Sequence, residues 1–183
     1  MTPAPSPFDA VLPPGPRARV LVDLRWGDLD AYGHVNNVAV ARLLEEARVR
    51  ILGSPTAHTD AVDASGRPPA DGWDEHADPA WRIFSARAHD TQYLVASHRI
   101  EYRRALAYRP GPVGIVLVLS RIGAASIVVG YALGAPGSGE IAVVAETEIV
   151  FVDAATGRPR RLEDEERRQL EPLLSGPVQL RRR

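Results

Sequence analysis

Asp28 and Asp30 stand two residues apart in Gly27-Asp28-Leu29-Asp30-Ala31-Tyr32-Gly33-His34-Val35-Asn36-Asn37, and this acidic pair is the group whose types and spacing could do chemistry. From Val38 onward, Val40, Leu43, Leu44, Ala47 and Ile51 recur at helical spacing, which places both acids just ahead of a helix start. Asn36 or Asn37 is a suitable N-cap, since a short side-chain oxygen can accept from first-turn amides. Those amides otherwise lack partners, and the positive end of the helix dipole faces the same way. A carboxylate beside them can act as general base or nucleophile while the amides hold a developing oxyanion. It can equally act as a turn or cap residue and satisfy the amides itself. Both roles stay open for Asp30, and Asp28 reads first as a turn residue.

The other candidates follow from position. His34 could orient a water or a reacting group, or close the turn, and Asn36 and Asn37 read as cap and turn residues before ligand contacts. Glu45 lies more than two turns along the helix, where a salt bridge to Arg48 competes with a catalytic part, and Glu46 shares that reserve role. The five histidines, His34, His58, His76, His89 and His98, show no metal-ligand spacing, so a metal is not expected.

The elements that must position these residues can be read in order. Residues 1 to about 16 are rich in proline and read as a flexible or extended arm. A strand at about Arg17 to Trp26 leads through the turn into a helix over Asn37–Leu52, stopped by Gly53 and Pro55. Its polar face carries Arg42, Glu45, Glu46, Arg48 and Arg50, with Glu46–Arg50 in the favourable i,i+4 order. From about 53 to 90 runs a polar insertion in which Asp78-Pro79 could start a short helix. Trp73, Trp81 and Phe84 there could cover a pocket or pin the insertion to the body. Four strands follow, at Tyr93–Arg104, Val113–Ile122, Ser126–Leu133 and Ile141–Val152, joined in part by connections short enough for antiparallel neighbours. A charged helix within Leu162–Leu174 ends the pattern. One helix and one five-stranded sheet bury each other as an α+β pair of layers in a single domain, 17–183.

Composition narrows the function classes. A net charge of −1 offers no global field toward nucleic acid or an anionic membrane. With no Cys there is no thiolate nucleophile and no Cys-based metal site, and with every basic residue an Arg there is no catalytic Lys. No apolar run approaches the ~20 residues of a membrane helix, and the proline-rich start does not read as a secretory signal. A cytoplasmic location is the expectation. Phosphate-loop, nucleophile-elbow and dinucleotide-binding glycine motifs are all missing.

The element order, together with GDLDAYGHVNNVAVARLLEEAR, resembles the hotdog-fold acyl-CoA thioesterases of the 4-hydroxybenzoyl-CoA thioesterase-like family. Asp28-Leu29-Asp30, Gly33-His34-Val35-Asn36-Asn37 and Glu45-Glu46-Ala47-Arg48 stand at the family's first motif. Ile100-Glu101-Tyr102-Arg103-Arg104, Gly111-Pro112-Val113, Ile122-Gly123 and Thr156-Gly157-Arg158-Pro159 follow in the family's order. The match spans about Arg17 to Leu174 apart from the insertion. Val40 and Leu43 stand where the family often has aromatics, Ala105 where it often has Pro, and the insertion is longer than usual.

The resemblance implies a curled antiparallel sheet wrapped around one long central helix, and cofactor-free hydrolysis of an acyl-CoA or acyl-carrier thioester. It puts Asp30 at the catalytic carboxylate, with His34 and the amide near Asn37 as its companions. Asp28, Gly33, Asn36, Glu45 and Tyr102 become substrate-contacting positions. Arg103, Arg104, Arg109, Arg158, Arg160 and Arg161 are candidates for the CoA phosphates or plain surface charges. A homodimer or homotetramer is implied, since the site in this fold usually lies between subunits. Two other readings keep the fold: a hydratase or dehydratase, and a non-catalytic acyl-thioester sensor.

Overall fold

Near-continuous apolar runs in the central strands require cover on both sheet faces. The computed structural model describes residues 6–53, 79–82, 90–109 and 111–181, and supplies both covers. The strands are β1 (Ala18–Asp23), β2 (Thr91–Tyr102), β3 (Pro112–Ile122), β4 (Ser126–Gly134) and β5 (Val143–Asp153). The helices are α1 (Asn37–Leu52) and α2 (Asp164–Leu170). All five strands pair antiparallel in the order β1-β3-β4-β5-β2. The two hairpins β3–β4 and β4–β5 are the ones that short connections anticipate. β2 instead crosses to the far edge and, among the described residues, pairs with β5 alone, with a register shift between Val95 and Ser97.

The sheet curls around α1. Val40, Leu43, Leu44, Ala47 and Ile51 are all buried, together with Ala39 and Leu52, against Val20, Ile115, Leu117, Val129 and Phe151 of the inner sheet face. Burying one such aliphatic side chain is worth about 1.5–3 kcal/mol, so this stripe decides which way the helix faces. Arg50 donates from Nη1 to the Leu21 carbonyl at 3.0 Å and from Nε to Glu46 at 2.8 Å, tying the flank of α1 to β1. Trp81, 1% exposed, enters this core. The short helix expected after Asp78 is a single 3-10 turn, Pro79–Trp81, over the described residues, and Trp73 and Phe84 lie outside them.

The outer sheet face has its own cover, which corrects the expectation of a flexible arm. Residues 6–16 are packed rather than loose: Phe8 and Leu12 are buried against Leu21, Val116, Val118, Ala132 and Val144. Ser6 caps the 3-10 turn Pro7–Ala10, and Arg17 bonds Asp9 and the Pro13 carbonyl, which converts a proline-rich stretch into a fixed strap. The segment after Leu173 runs beside it. Gln179 donates its amide to the Val11 carbonyl, and Ser175 donates its hydroxyl to the Pro16 carbonyl. Val178 from this segment is buried over Gly130 of β4.

Gly130 is glycine for want of space. A Cβ there would meet Val178, lie 2.6 Å from the Ser120 hydroxyl and 2.9 Å from Val118. Gly130→Ala should therefore lower stability by about 1–3 kcal/mol, the usual cost of overpacking, read as a lower denaturant midpoint. Adding Val178→Ala should recover part of the loss; no recovery would mean that the seat of Val178 is not the constraint.

Candidate functional site

The turn from Leu29 to Asn36 is a miniature hairpin. Leu29 bridges Val35, the Asp30 amide donates to the His34 carbonyl at 2.8 Å, and the Gly33 amide donates to the Asp30 carbonyl at 3.2 Å. Gly33 has φ 77°, a conformation that costs a side-chain-bearing residue but not glycine. The hairpin is held from below by a second segment, where the Val35 amide donates to the Leu106 carbonyl at 2.8 Å and His34 bridges Ala107.

Asp30 sits inside this loop and uses one carboxylate oxygen to brace it. Its Oδ1 accepts from the amides of Tyr32 at 2.8 Å and His34 at 3.0 Å, while Oδ2 takes no bond among the described residues. The His34 amide foremost, with the Tyr32 amide beside it, holds the carboxyl below the ordinary carboxylate range against the opposing effect of burial. One oxygen of Asp30 thus braces the turn while the other stays open.

Asn36 is the N-cap of α1: its Oδ1 accepts from the Ala39 amide at 2.8 Å, and its Nδ2 donates to the Asp28 carbonyl at 3.1 Å. That cap serves the third helical amide and leaves the Asn37 and Val38 amides without acceptors among the described residues. Tyr102, at the end of β2, directs its hydroxyl to the Asn37 carbonyl at a long 3.5 Å.

The expected site residues separate into two groups. Asp30, His34 and Tyr102 line one open depression of about 350 Å³ with Val40, Arg104 and Leu106. Asp28 and Glu45 line another, of about 560 Å³, with Arg25, Arg42, Glu46 and Arg50. Asp28 accepts the Arg25 amide at 2.7 Å, the turn-residue role its position suggested. Gly33 shapes the loop, Asn36 caps the helix, and Asn37 is exposed at its first position.

Several arginines have structural duties. Arg160 forms a two-pronged pair with Glu166, bonds Thr91 and lies over Phe151, and Arg103 donates to the Gln179 carbonyl at 2.7 Å. Among the described residues no three His, Asp or Glu side chains gather as metal donors, and His58, His76 and His89 lie outside them.

One assignment needs correcting. The helical pattern put Arg48 on the polar face, yet Arg48 is 6% exposed, turned into the seam between α1 and β2. Its ion pair with Glu45 is long, at 3.7 Å. Nearby, Tyr131 of β4 is fully buried, and His98 of β2 shares a 2.9 Å hydrogen bond with Thr147 of β5. Burial, then the Arg48 charge, hold the His98 imidazole below its ordinary range. A polar residue inside a strand pattern carries no signal of such a cluster.

A curled sheet around one helix, entered through an acid-bearing turn, is the hotdog architecture of thioester hydrolases. The family model of the thioesterase-like superfamily matches residues 24–170, and the chain belongs to that superfamily. Solved structures agree in fold. The probable thioesterase YbaW from Escherichia coli is 23% identical with TM-score 0.62, the match covering 86% of this chain and 98% of that one. A thioesterase from Thermus thermophilus, complexed with coenzyme A and Zn, is 24% identical with TM-score 0.57, over 87% and 96%. Slr0204, a 1,4-dihydroxy-2-naphthoyl-CoA thioesterase from Synechocystis, is 15% identical with TM-score 0.60, over 86% and 97%. No curated protein matches the sequence. No helix among the described residues is long and apolar enough to cross a membrane.

The brace at Asp30 is directly testable. Its folded-state titration is lowered, so its contribution to the turn is present above about pH 4, the unfolded value, and fades as pH falls through the lower folded value. Carbon-detected NMR should place the Asp30 midpoint below that of a free aspartate. Asp30→Ala should speed hydrogen exchange at the Tyr32 and His34 amides, while Asp30→Asn, which keeps an acceptor oxygen, should not. Equal exchange in both variants would show that the carboxylate does not hold the loop.

Proposed function

We propose that the protein hydrolyses acyl-CoA thioesters, with Asp30 as the reactive carboxylate and the Asn37 and Val38 amides as the oxyanion donors. The observation that carries this reading is the division of labour at Asp30: one oxygen fixed by two amides, the other open to the depression it shares with His34. A carboxylate so held cannot rotate away from a bound reactant, which is the positioning that general-base or nucleophilic catalysis needs. As base, Oδ2 takes a proton from water, the hydroxide oxygen adds to the thioester carbonyl, and the C–S bond breaks to release acid and thiol. The negative charge that builds on the carbonyl oxygen lies within the reach of unpartnered helix-start amides, donors that are already oriented. His34 borders the same depression and orients the water or the thioester. Arg104 lines it too and, with Arg109 close by in sequence, offers guanidinium groups for the CoA phosphates.

The working unit is a homodimer in the cytoplasm. β2 is a twelve-residue edge strand with Leu94, Val95 and Tyr102 exposed, and the open groups of such an edge are a template on which another strand can pair. A second β2 laid alongside would bring the partner against the α1–β2 seam.

Because the chain has no Cys, a thiol-reactive dye reads only liberated CoA. Wild type should release thiol from acyl-CoAs, and Asp30→Asn, with its turn kept, should lose about 10²–10⁴-fold in kcat. Turnover that survives would move the role to Glu45 or Glu46, and binding without turnover would favour a sensor. Val95→Arg on the edge should shift the light-scattering mass from dimer to monomer; a mass that does not change would remove β2 as the interface.

A further inference from the structure

The outer sheet face, remote from α1, carries a second opening that thioester cleavage leaves unused. The segment after Leu173 crosses this face from β3 to β2. Ser175 donates its amide to the Leu119 carbonyl at 2.9 Å, Val178 lies over Gly130, and the Arg181 amide donates to Glu101 at 2.9 Å. Along one flank of that crossing runs an open groove of about 400 Å³, lined by Pro177 and by residues of four strands. Strand register explains its floor: Arg121, Val128, Glu148 and Ser97 form one row across β3, β4, β5 and β2, and all four line the groove.

Both ends of this row follow a β-bulge, since the register slips between Leu119 and Arg121 in β3 and between Val95 and Ser97 in β2. A bulge sets two residues against one and re-aims a side chain. Ser120 is the extra residue of β3, and it lines the groove beside Arg121. Only 6% exposed, it holds an enclosed hydroxyl that has no hydrogen-bond partner. A buried hydroxyl left unpaired is costly, so a group that completes it is favoured. The hydroxyl stands 2.6 Å from the place a Gly130 Cβ would take. Glu146 is the register partner of Gly130 on the other side, its side chain starting about 5 Å from that same place.

Charge decides the occupant. Arg121 is committed to Glu148 at 2.9 Å, and Arg99 to Glu101 at 3.2 Å and to the Arg181 carbonyl at 2.6 Å. Glu146, also in the lining, is half-buried and has neither an ion pair nor a hydrogen bond among the described residues. The groove therefore presents an unpaired carboxylate and a hydroxyl that can accept as well as donate. An anion would meet Glu146 with like charge, and an apolar molecule would leave both groups unpaired. A cation with N–H donors satisfies both through charge-assisted bonds, while Val128 and Pro177 receive its carbon body.

We infer that this groove binds a small organic ammonium ion, whose N–H groups donate to the Glu146 carboxylate and the Ser120 hydroxyl and whose short apolar body lies on Val128 and Pro177. The site shares no lining residue with the Asp30 depression and stands whether or not the chain cleaves thioesters.

The test titrates full-length protein with butylammonium, and with 1-butanol and butanoate as neutral and anionic matches, while NMR follows the backbone amides. Butylammonium should move the signals of Ser120, Arg121, Glu146 and Glu148, binding about tenfold or more tightly than either match. Glu146→Gln should remove that preference. Ser120→Ala should weaken butylammonium about threefold or more yet leave the melting temperature of the free protein unchanged or raised, because the hydroxyl has no partner there to lose. That variant decides the matter if Glu146→Gln does not fold. Asp30→Ala should bind butylammonium as wild type does. Equal binding of the three probes, a preference that survives Glu146→Gln, undiminished binding by Ser120→Ala, or signal changes centred on the Asp30 turn would each overturn the site and leave Glu146 a solvated surface charge.

Discussion

A helix lying in a curled sheet has one rotational setting, and in this protein the apolar stripe of α1 sets it. Once Val40, Leu43, Leu44, Ala47 and Ile51 are buried, every other position on the helix has its direction assigned. Asn37 and Arg48 are turned toward β2, Arg50 toward β1, and Glu45 toward solvent. The helix start is thereby aimed at the depression bordered by Asp30. The aim of the helix start and the burial of the Arg48 charge are two consequences of a single packing constraint.

The turn ahead of the helix adds what packing cannot provide. Hydrophobic burial is indifferent to shifts of a few tenths of an ångström, whereas hydrogen bonds are directional. Asp30 Oδ1 takes two amides, Gly33 permits the reversal, and the segment carrying Leu106 supports the loop from the side. A carboxylate with low conformational freedom is thereby obtained without burying it. Its charge therefore stays in reach of water, in keeping with its lowered titration.

Much of this was legible in residue order. The bounds Asn37–Leu52 for α1 follow from a period of 3.6 and a Gly-Pro stop, and Asn36 as cap follows from its chemistry. Strand positions came within a few residues, because apolar runs and turns leave strong local signals. What local pattern cannot carry is which strand lies beside which: β2 crosses the sheet to pair with β5, a pairing that no turn encodes. Arg48 shows the same limit, since charge suggests solvent and only the position of β2 places it inside. The arm is a further limit: proline content speaks about backbone stiffness, while Phe8 and Leu12 are buried largely by partners more than a hundred residues away.

The double cover of the outer sheet face has a bearing on how the molecule is made. Phe8 and Leu12 leave the ribosome early, but the layer they complete also needs Val178. Until translation has passed that residue, β3, β4 and β5 present an apolar outer surface with half its lid. The inner core, whose described members reach only to Leu173, can close first. The inner layer can thus form before the outer one, which is completed when the segment carrying Val178 docks over Gly130. A nascent chain stalled shortly before that point would carry a finished seam and an unfinished exterior, making it a client for chaperones rather than a free enzyme.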